Sequence, residues 1–413
     1  MSRKLARRCS LVFSSLAVVA VAAHAEIAVR ITDLWADGQS GVPNLDAAVF
    51  EDKLYFAGTA DGGDRDLWVY DGIPPASMVP GGAGLAPEEL TVWQGGLYFK
   101  GGPANDRELW LYDGVNPPVE ALDLAPPGSG NPEHLTAFGP ELCFNALTSN
   151  TVGDELVCWD GANAPDVYEL RAGLPGSSID QPAVLGDTLY FGAYGDGVGG
   201  EPWAYEHFSP PTLVSDMESG TGSSNPEDFV QLGATIYFES SAGAFARVWS
   251  YDTVSPPALV SPTFRQQGGI ASWGGRLIVD GYEDGGESPQ GGTPYLHVLR
   301  AGGFVRAPWP GGSISSAGGF LDHRNALYFR AAASATASDL FRYCGGGTVE
   351  RVTDEFADTS YVTSAPTLFQ GRLYFSALQA ATGQELWMID PMTAIFCDGL
   401  EDGHDDDWSA SVP

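Results

Sequence analysis

A Leu-Tyr-Phe burst, a polar glycine-rich turn and a Glu-Leu-Trp burst closed by Asp-Gly recur along this chain, and no other feature constrains its fold as much. The clearest copy spans residues 96–114, GLYFKGGPANDRELWLYDG. Both bursts are short, rich in aromatic residues and alternate with a period of two, which predicts β-strands. The first burst begins at Leu54, Leu97, Leu142, Leu189, Ile236, Leu277, Leu327 and Leu373, at intervals of 41 to 50 residues. That spacing is the period of a propeller blade. The second burst follows each time, from Asp66-Leu67-Trp68 to Glu385-Leu386-Trp387. The sixth copy, Thr293-Pro294-Tyr295, follows a long acidic insertion and is the most degenerate.

Two further strands complete each unit. A strand such as Leu90-Thr91-Val92-Trp93 leads into the Leu-Tyr-Phe burst through a two-residue turn, Gln94-Gly95 here and Gly186-Asp187 in another copy. Such turns are hairpin signals. After the Trp strand, Asp-Gly turns the chain into a fourth strand, as at residues 119–124. We name the four strands A to D. The chain after residue 25 opens with a lone D-type strand at 27–34, and the eighth A–B–C set ends near Asp390 without one. The N-terminal strand is therefore expected to complete the last blade, closing a ring and burying two open sheet edges. The expectation is an all-β propeller of eight four-stranded blades over residues 26–392. Seven blades plus a stray hairpin is the alternative, because the sixth repeat is weak. A–B and C–D turns are short, whereas B–C turns and D–A links are long and rich in Gly, Ser and Asp. The two long sets emerge on one face, and that acidic face is the expected binding surface.

Composition agrees with a turn-rich β protein: 53 Gly and 29 Pro among 413 residues, with 44% hydrophobic residues to form a core. Residues 1–25 read as a signal peptide. Arg3, Lys4, Arg7 and Arg8 precede an apolar run at 11–23, and Ala23-His24-Ala25 is a small-x-small cleavage site. The run is too short for a stable membrane span, so no membrane insertion is expected after cleavage. Residues 1–25 carry four of the 20 basic residues and none of the 53 acidic ones, leaving 16 against 53 and a formal charge of −37. Like charge disfavours nucleic acid and anionic membranes as partners. Residues 393–413 form an acidic tail. Cys9 leaves with the signal, and four cysteines in an exported chain suggest disulfides in one of three pairings. Cys143 and Cys158 sit on the two strands of one hairpin, and Cys344 and Cys397 end the last two repeats. The pairing favoured is 143–158 with 344–397.

With those residues in view, the repeat resembles the ELWxxDGT repeat family of exported bacterial proteins. The closest copies are residues 108–114, then 66–72, then 385–390 without the glycine. The resemblance covers nearly all of the chain after residue 25. It implies a secreted or surface β-propeller-like array with no defined activity. The tail is similar to a short ending, IFxDGFESG followed by Trp-Ser, on exported proteins of Gram-negative bacteria, and departs from it at Leu400 and Asp402. The implied location is the periplasm, cell surface or exterior of such a bacterium.

Motifs that carry chemistry are sparse. There is no GxSxG elbow and no HExxH. None of His134, His207, His297, His323 and His404 has an evident partner in the sequence. The Trp residues of strand C read as packing between blades, and the Asp-Gly pairs at Asp71, Asp113 and Asp160 as turn residues. Residues 377–387 are similar to the AxDxxTGxxxW docking motif of quinoprotein dehydrogenases, but Gln379 stands at its Asp and the motif occurs once, which argues against a quinone cofactor. Calcium is the remaining cofactor candidate, with Asp61, Asp64 and Asp66 in one turn and Glu283, Asp284 and Glu287 in another. The reading these features favour is an exported, monomeric, non-catalytic binding module for an extracellular glycan or protein. The alternative is an extracellular polysaccharide hydrolase or lyase with carboxylates on the acidic loop face.

Overall fold

The computed structural model describes residues 28–391, apart from 36–37, 150–151, 244, 284–293, 308, 310–313, 335–336, 346–348 and 354–360. The signal segment, the acidic tail, Cys397 and the insertion beyond Glu283 lie outside the described residues. The chain folds into eight antiparallel sheets set in chain order around a ring, an eight-bladed β-propeller. In blade 2, strands A to D are Glu88–Trp93, Gly96–Gly101, Glu108–Tyr112 and Val119–Leu122. The weak sixth repeat is also a complete blade (Phe264–Trp273, Arg276–Glu283, Tyr295–Arg300 and Gly303–Arg306), which removes the seven-blade alternative. In blade 8 strand A is split into Tyr361–Val362 and Thr367–Phe369. Its fourth strand is Val29–Arg30, paired in register with Met388 and Trp387. Chain start and chain end thus share one sheet, as their leftover strands require.

The turn chemistry fixes the hairpins. Both central residues of the A–B turn are left-handed at Glu51-Asp52, Gln94-Gly95 and Arg324-Asn325, the primed geometry whose twist matches that of the strands. The Asp-Gly turns behave as expected: Asp113 Oδ1 accepts from Val115 N and Asn116 N, Asp160 does the same for its own turn, and so does Asp252, which Thr253 follows in place of glycine. Hydrogen bonds to the charged form, led by the Asn116 side-chain amide at Asp113 and by these backbone N–H groups at Asp160 and Asp252, hold all three carboxyls below the usual range.

The Leu-Tyr-Phe burst is where the blades interlock. Strand B is buried on both faces, because each blade has a neighbour on either side. Leu97 and Phe99 enter the apolar cluster shared with blade 1, while Tyr98 enters the one shared with blade 3. The same division holds around the ring, and the cluster of Leu54, Phe56, Phe369 and Tyr374 joins blade 1 to blade 8. Trp68, Trp110, Trp203 and Trp249 pack into these inter-blade clusters, and the indoles of Trp68 and Trp203 donate to Gly58 O and Ala193 O. Their recurrence is accounted for by packing.

Blade 3 departs in one respect. Cys143 replaces the strand B tyrosine, lies opposite Cys158 on strand C with 4.1 Å between Cα atoms, and is bonded to it. Cys344 is also disulfide-bonded. The 143–158 bridge closes a 15-residue separation, so replacing both cysteines with Ala should cost on the order of 2 to 3 kcal/mol on the chain-entropy estimate. Urea denaturation of the double variant checks this, and a change under about 0.5 kcal/mol would mean that the hairpin register already supplies the constraint.

The Glu of Glu-Leu-Trp has a structural task. Glu108, Glu155, Glu201 and Glu385 are fully buried. Each lies on strand C and accepts hydrogen bonds from the D–A link beside it. Glu108 takes Leu124 N and Gly130 N; Glu201 takes Met217 N, Glu218 N, Ser224 N and Ser224 Oγ. A buried carboxylate satisfied by backbone N–H groups ties an irregular link to a regular strand.

Candidate functional site

Strands A lie against one another around the ring axis, and their first residues sit at the loop-bearing face. Counting five residues back from the strand end places Glu88, Glu133, Asp180 and Glu227 at equivalent positions in blades 2–5. The same count reaches Gly268, Gly318 and Ser364 in blades 6–8. The inner rim is therefore an acidic crescent facing a crescent of small residues. The position that follows is left-handed in each acidic blade: Glu89 at φ 62°, His134 at 59°, Gln181 at 41° and Asp228 at 55°. A register shift marks a β-bulge there. The neighbouring blade holds three of these conformations, those of Glu89, His134 and Asp228. Asp46 accepts from Glu89 N and Leu90 N, Glu89 accepts from His134 N, and Gln181 accepts from Asp228 N.

The four rim acids are not equally compensated. Glu88 meets Arg65 at 2.6 Å, Lys100 at 2.9 Å and Arg107 at 3.3 Å. Lys100 is itself buried, and these cations hold the Glu88 carboxyl below its ordinary range against the opposing effect of its partial desolvation. Glu133 has Lys100 at 3.4 Å and accepts from the Asn131 side-chain amide at 3.1 Å. Asp180 has His134 Nε2 at 3.5 Å, and Glu227 has the amide of Gln181 at 3.4 Å. Negative potential is thus concentrated at blades 3–5.

A cavity of about 480 Å³ opens there. Glu133, Asp154, Asp180 and Glu227 line it, together with His134 and Asn145. Partial desolvation, then the Glu133 charge, raises the Asp154 carboxyl; desolvation, then Asp180, raises Glu227. Farther round, desolvation and the Glu227 charge push Asp228 up to about 6, and desolvation with Asp228 and Glu227 pushes Glu239 to about 7. Asn145, only 6% exposed, accepts from Ile179 N through Oδ1. Tyr194 borders the cavity, with the Arg171 guanidinium 5.6 Å from its ring centre.

The residues singled out from the sequence lie elsewhere. Asp61 accepts from Gly63 N within its own exposed turn, and Asp66 accepts from Gly84 N as the blade 1 counterpart of the buried strand C glutamates. Asp64 is exposed. Among the described residues no group of three or more His, Cys, Asp or Glu side chains is arranged to hold a metal ion, so Asp61, Asp64 and Asp66 are not brought together as ligands. Asp284 and Glu287 lie outside the described residues. Residues 377–387 form the B–C hairpin of blade 8, with Thr382-Gly383 at its turn. Four histidines have partners among the described residues: His134 as above; His207, whose Nδ1 lies 2.7 Å from Glu141 and whose ring stacks on Phe138; His297, whose Nδ1 lies 2.8 Å from Tyr295 O; and His323, whose Nε2 lies 3.2 Å from Gly371 O. The rim acids escaped the sequence reading because they precede the strand A bursts. Aligning the repeats on the A–B turn, rather than on Leu-Tyr-Phe alone, would have exposed them as a column.

Comparison with family models finds no match, and neither does comparison with curated proteins. Solved structures do match. A Mycobacterium tuberculosis puromycin-hydrolyzing peptidase is 15% identical with a TM-score of 0.49, over 82% of this chain and 60% of that one. A structure from an analysis of two prolyl endopeptidases is 11% identical with a TM-score of 0.51, over 82% and 55%. The β-propeller domain of the Trilobed protease from Pyrococcus furiosus is 9% identical with a TM-score of 0.46, over 84% and 96%. The chain spans 55 to 60% of the length of the first two. At these identities the likeness concerns the propeller fold.

Proposed function

We propose that this protein is an exported, non-catalytic propeller that holds its ligand in the carboxylate-lined cavity at blades 3–5. One observation carries the reading. At equivalent rim positions on a repeating scaffold, acids cluster with little compensation around a cavity of binding-site size. The N-terminal signal features and the disulfide agree with export. The triple variant Glu133→Gln, Asp180→Asn, Glu227→Gln should lose at least about 30-fold in ligand retention, since each lost charged hydrogen bond is worth roughly tenfold. A glycan array probed with parent and variant measures this; equal retention by both would remove the cavity from the reading.

A second reading is a polysaccharide-acting enzyme built on the same groups. Asp154 and Glu227, both raised, stand beside Glu133 and Asp180, an acid-base arrangement in principle. Release of reducing ends without retained ligand favours it, and retention without turnover favours the binder.

A further inference from the structure

Resting on the reading of this cavity as a binding site, we propose that its ligand is a saccharide bearing free amino groups, a deacetylated hexosamine oligomer. Charge gives the first half of the argument. Glu133, Asp154, Asp180 and Glu227 line one cavity. Desolvation and then the charge of Glu133 raise Asp154, and desolvation and then that of Asp180 raise Glu227, a crowding of like charges that cationic donors would relieve. Of these four, Lys100 reaches only Glu133 and His134 only Asp180. Ammonium groups fit such carboxylates as donors of charged hydrogen bonds.

Asn145 gives the second half, and independently. Its side chain lines the cavity and is more than nine-tenths buried, and Ile179 N occupies its Oδ1. That hydrogen bond fixes the amide orientation, so the unpartnered group is the Nδ2 donor. That donor, on a side chain that lines the cavity, can bond an oxygen supplied from outside the chain. A simple polyamine offers no such oxygen, whereas a sugar hydroxyl or ring oxygen does. Tyr194, 36% exposed at the cavity edge, adds an aromatic surface for the apolar face of a sugar ring.

Titration calorimetry of the full chain at low salt tests this with four probes: a glucosamine tetramer, its fully N-acetylated form, a β-1,4-glucose tetramer and spermidine. The glucosamine tetramer should bind at least about tenfold tighter than either neutral tetramer. Asn145→Ala should weaken that tetramer about fivefold or more and leave spermidine unchanged. Because Asn145 also holds Ile179 N, Asp154→Asn at an exposed position supplies a variant with little risk to folding, and it should weaken both cationic probes. Equal binding of the acetylated tetramer, spermidine as tight as the amino sugar, or tetramer affinity insensitive to Asn145→Ala each overturns the proposal. If the array retains a different glycan and the triple rim variant abolishes that retention, the amino-sugar assignment falls while the binding reading stands. If no probe binds and the array is blank, both fall.

Discussion

Replacing Glu385 with Ala should lower the stability of the propeller by about 3 to 5 kcal/mol, the range for breaking a buried, fully engaged charged group. Glu385 is fully buried on strand C of blade 8 and accepts from Thr32 Oγ1 at 2.6 Å, Gly41 N at 3.2 Å and Leu34 N at 3.3 Å. All three donors belong to the N-terminal segment that closes the ring. The closure also includes the pairs Val29 with Met388 and Arg30 with Trp387, Ile31 N and Thr32 N on Leu386 O, Val42 N on Gln384 O, Leu386 N on Thr32 Oγ1 and Gln384 N on Ser40 Oγ. Alanine leaves buried N–H groups without an acceptor and a void beside them. For a chain of this size the melting temperature should fall by roughly 4 to 6 °C. Glu201→Ala is the control, because it removes the same chemistry from the middle of the ring. Both variants should melt early, but only Glu385→Ala should also speed amide exchange at residues 29–41. A Glu385→Ala protein melting within 2 °C of the parent would show that the strand pairing alone closes the ring.

That asymmetry between repeated and unrepeated partners also explains what the sequence could reveal. Strand B was legible because packing demands much the same answer in every blade: Leu or Ile and Phe toward one neighbour and Tyr toward the other in six of them, with Cys143 in place of the Tyr in blade 3 and Leu277-Ile278-Val279 in blade 6. The closure was legible by counting strands. The task of the strand C glutamate was not, although the residue is plainly repeated, because its partners lie in D–A links that share no sequence: Leu124 and Gly130 in one blade, Met217 and Ser224 in another. The cavity was harder still. Its carboxylates come from three blades, and only the ring brings Glu133 beside Asp180 and Glu227. The sequence pointed instead to the B–C turns, where Asp61 is occupied with its own turn and Asp66 with Gly84 N of the D–A link. Acidity alone did not separate the two; neutralisation by Arg65, Lys100 and Arg107, present at Glu88 and largely missing at blades 3–5, did.

Acidification from pH 8 to pH 5 should stabilise this protein, against the usual behaviour of paired carboxylates. Glu155 and Asp280 are fully buried, and desolvation pushes each up to about 7 from ordinary values of 4.5 and 3.8. The folded state therefore binds protons that the unfolded chain releases between about pH 4 and pH 7. The stability each contributes is complete below its unfolded value and is lost as the pH rises through its folded value. Each is worth on the order of 3 kcal/mol, and Asp228 and Glu239 add in the same direction. The opposite sign appears below about pH 4, where the depressed carboxyls of Asp113, Asp160 and Asp252 become protonated and their turn hydrogen bonds weaken. The melting temperature should thus peak near pH 5 and be lower by roughly 5 to 10 °C at pH 8. Mutual repulsion of the 53 acidic side chains also relaxes on acidification, but 1 M salt screens that surface effect over about 3 Å and leaves buried groups largely untouched. The difference between pH 5 and pH 8 should therefore persist in 1 M NaCl. Asp280→Asn can keep an acceptor for Ala317 N without the charge, so it should flatten the slope by raising the pH 8 value. A profile that is flat or rising from pH 5 to pH 8 in high salt would show that these carboxyls titrate alike in the folded and unfolded chain.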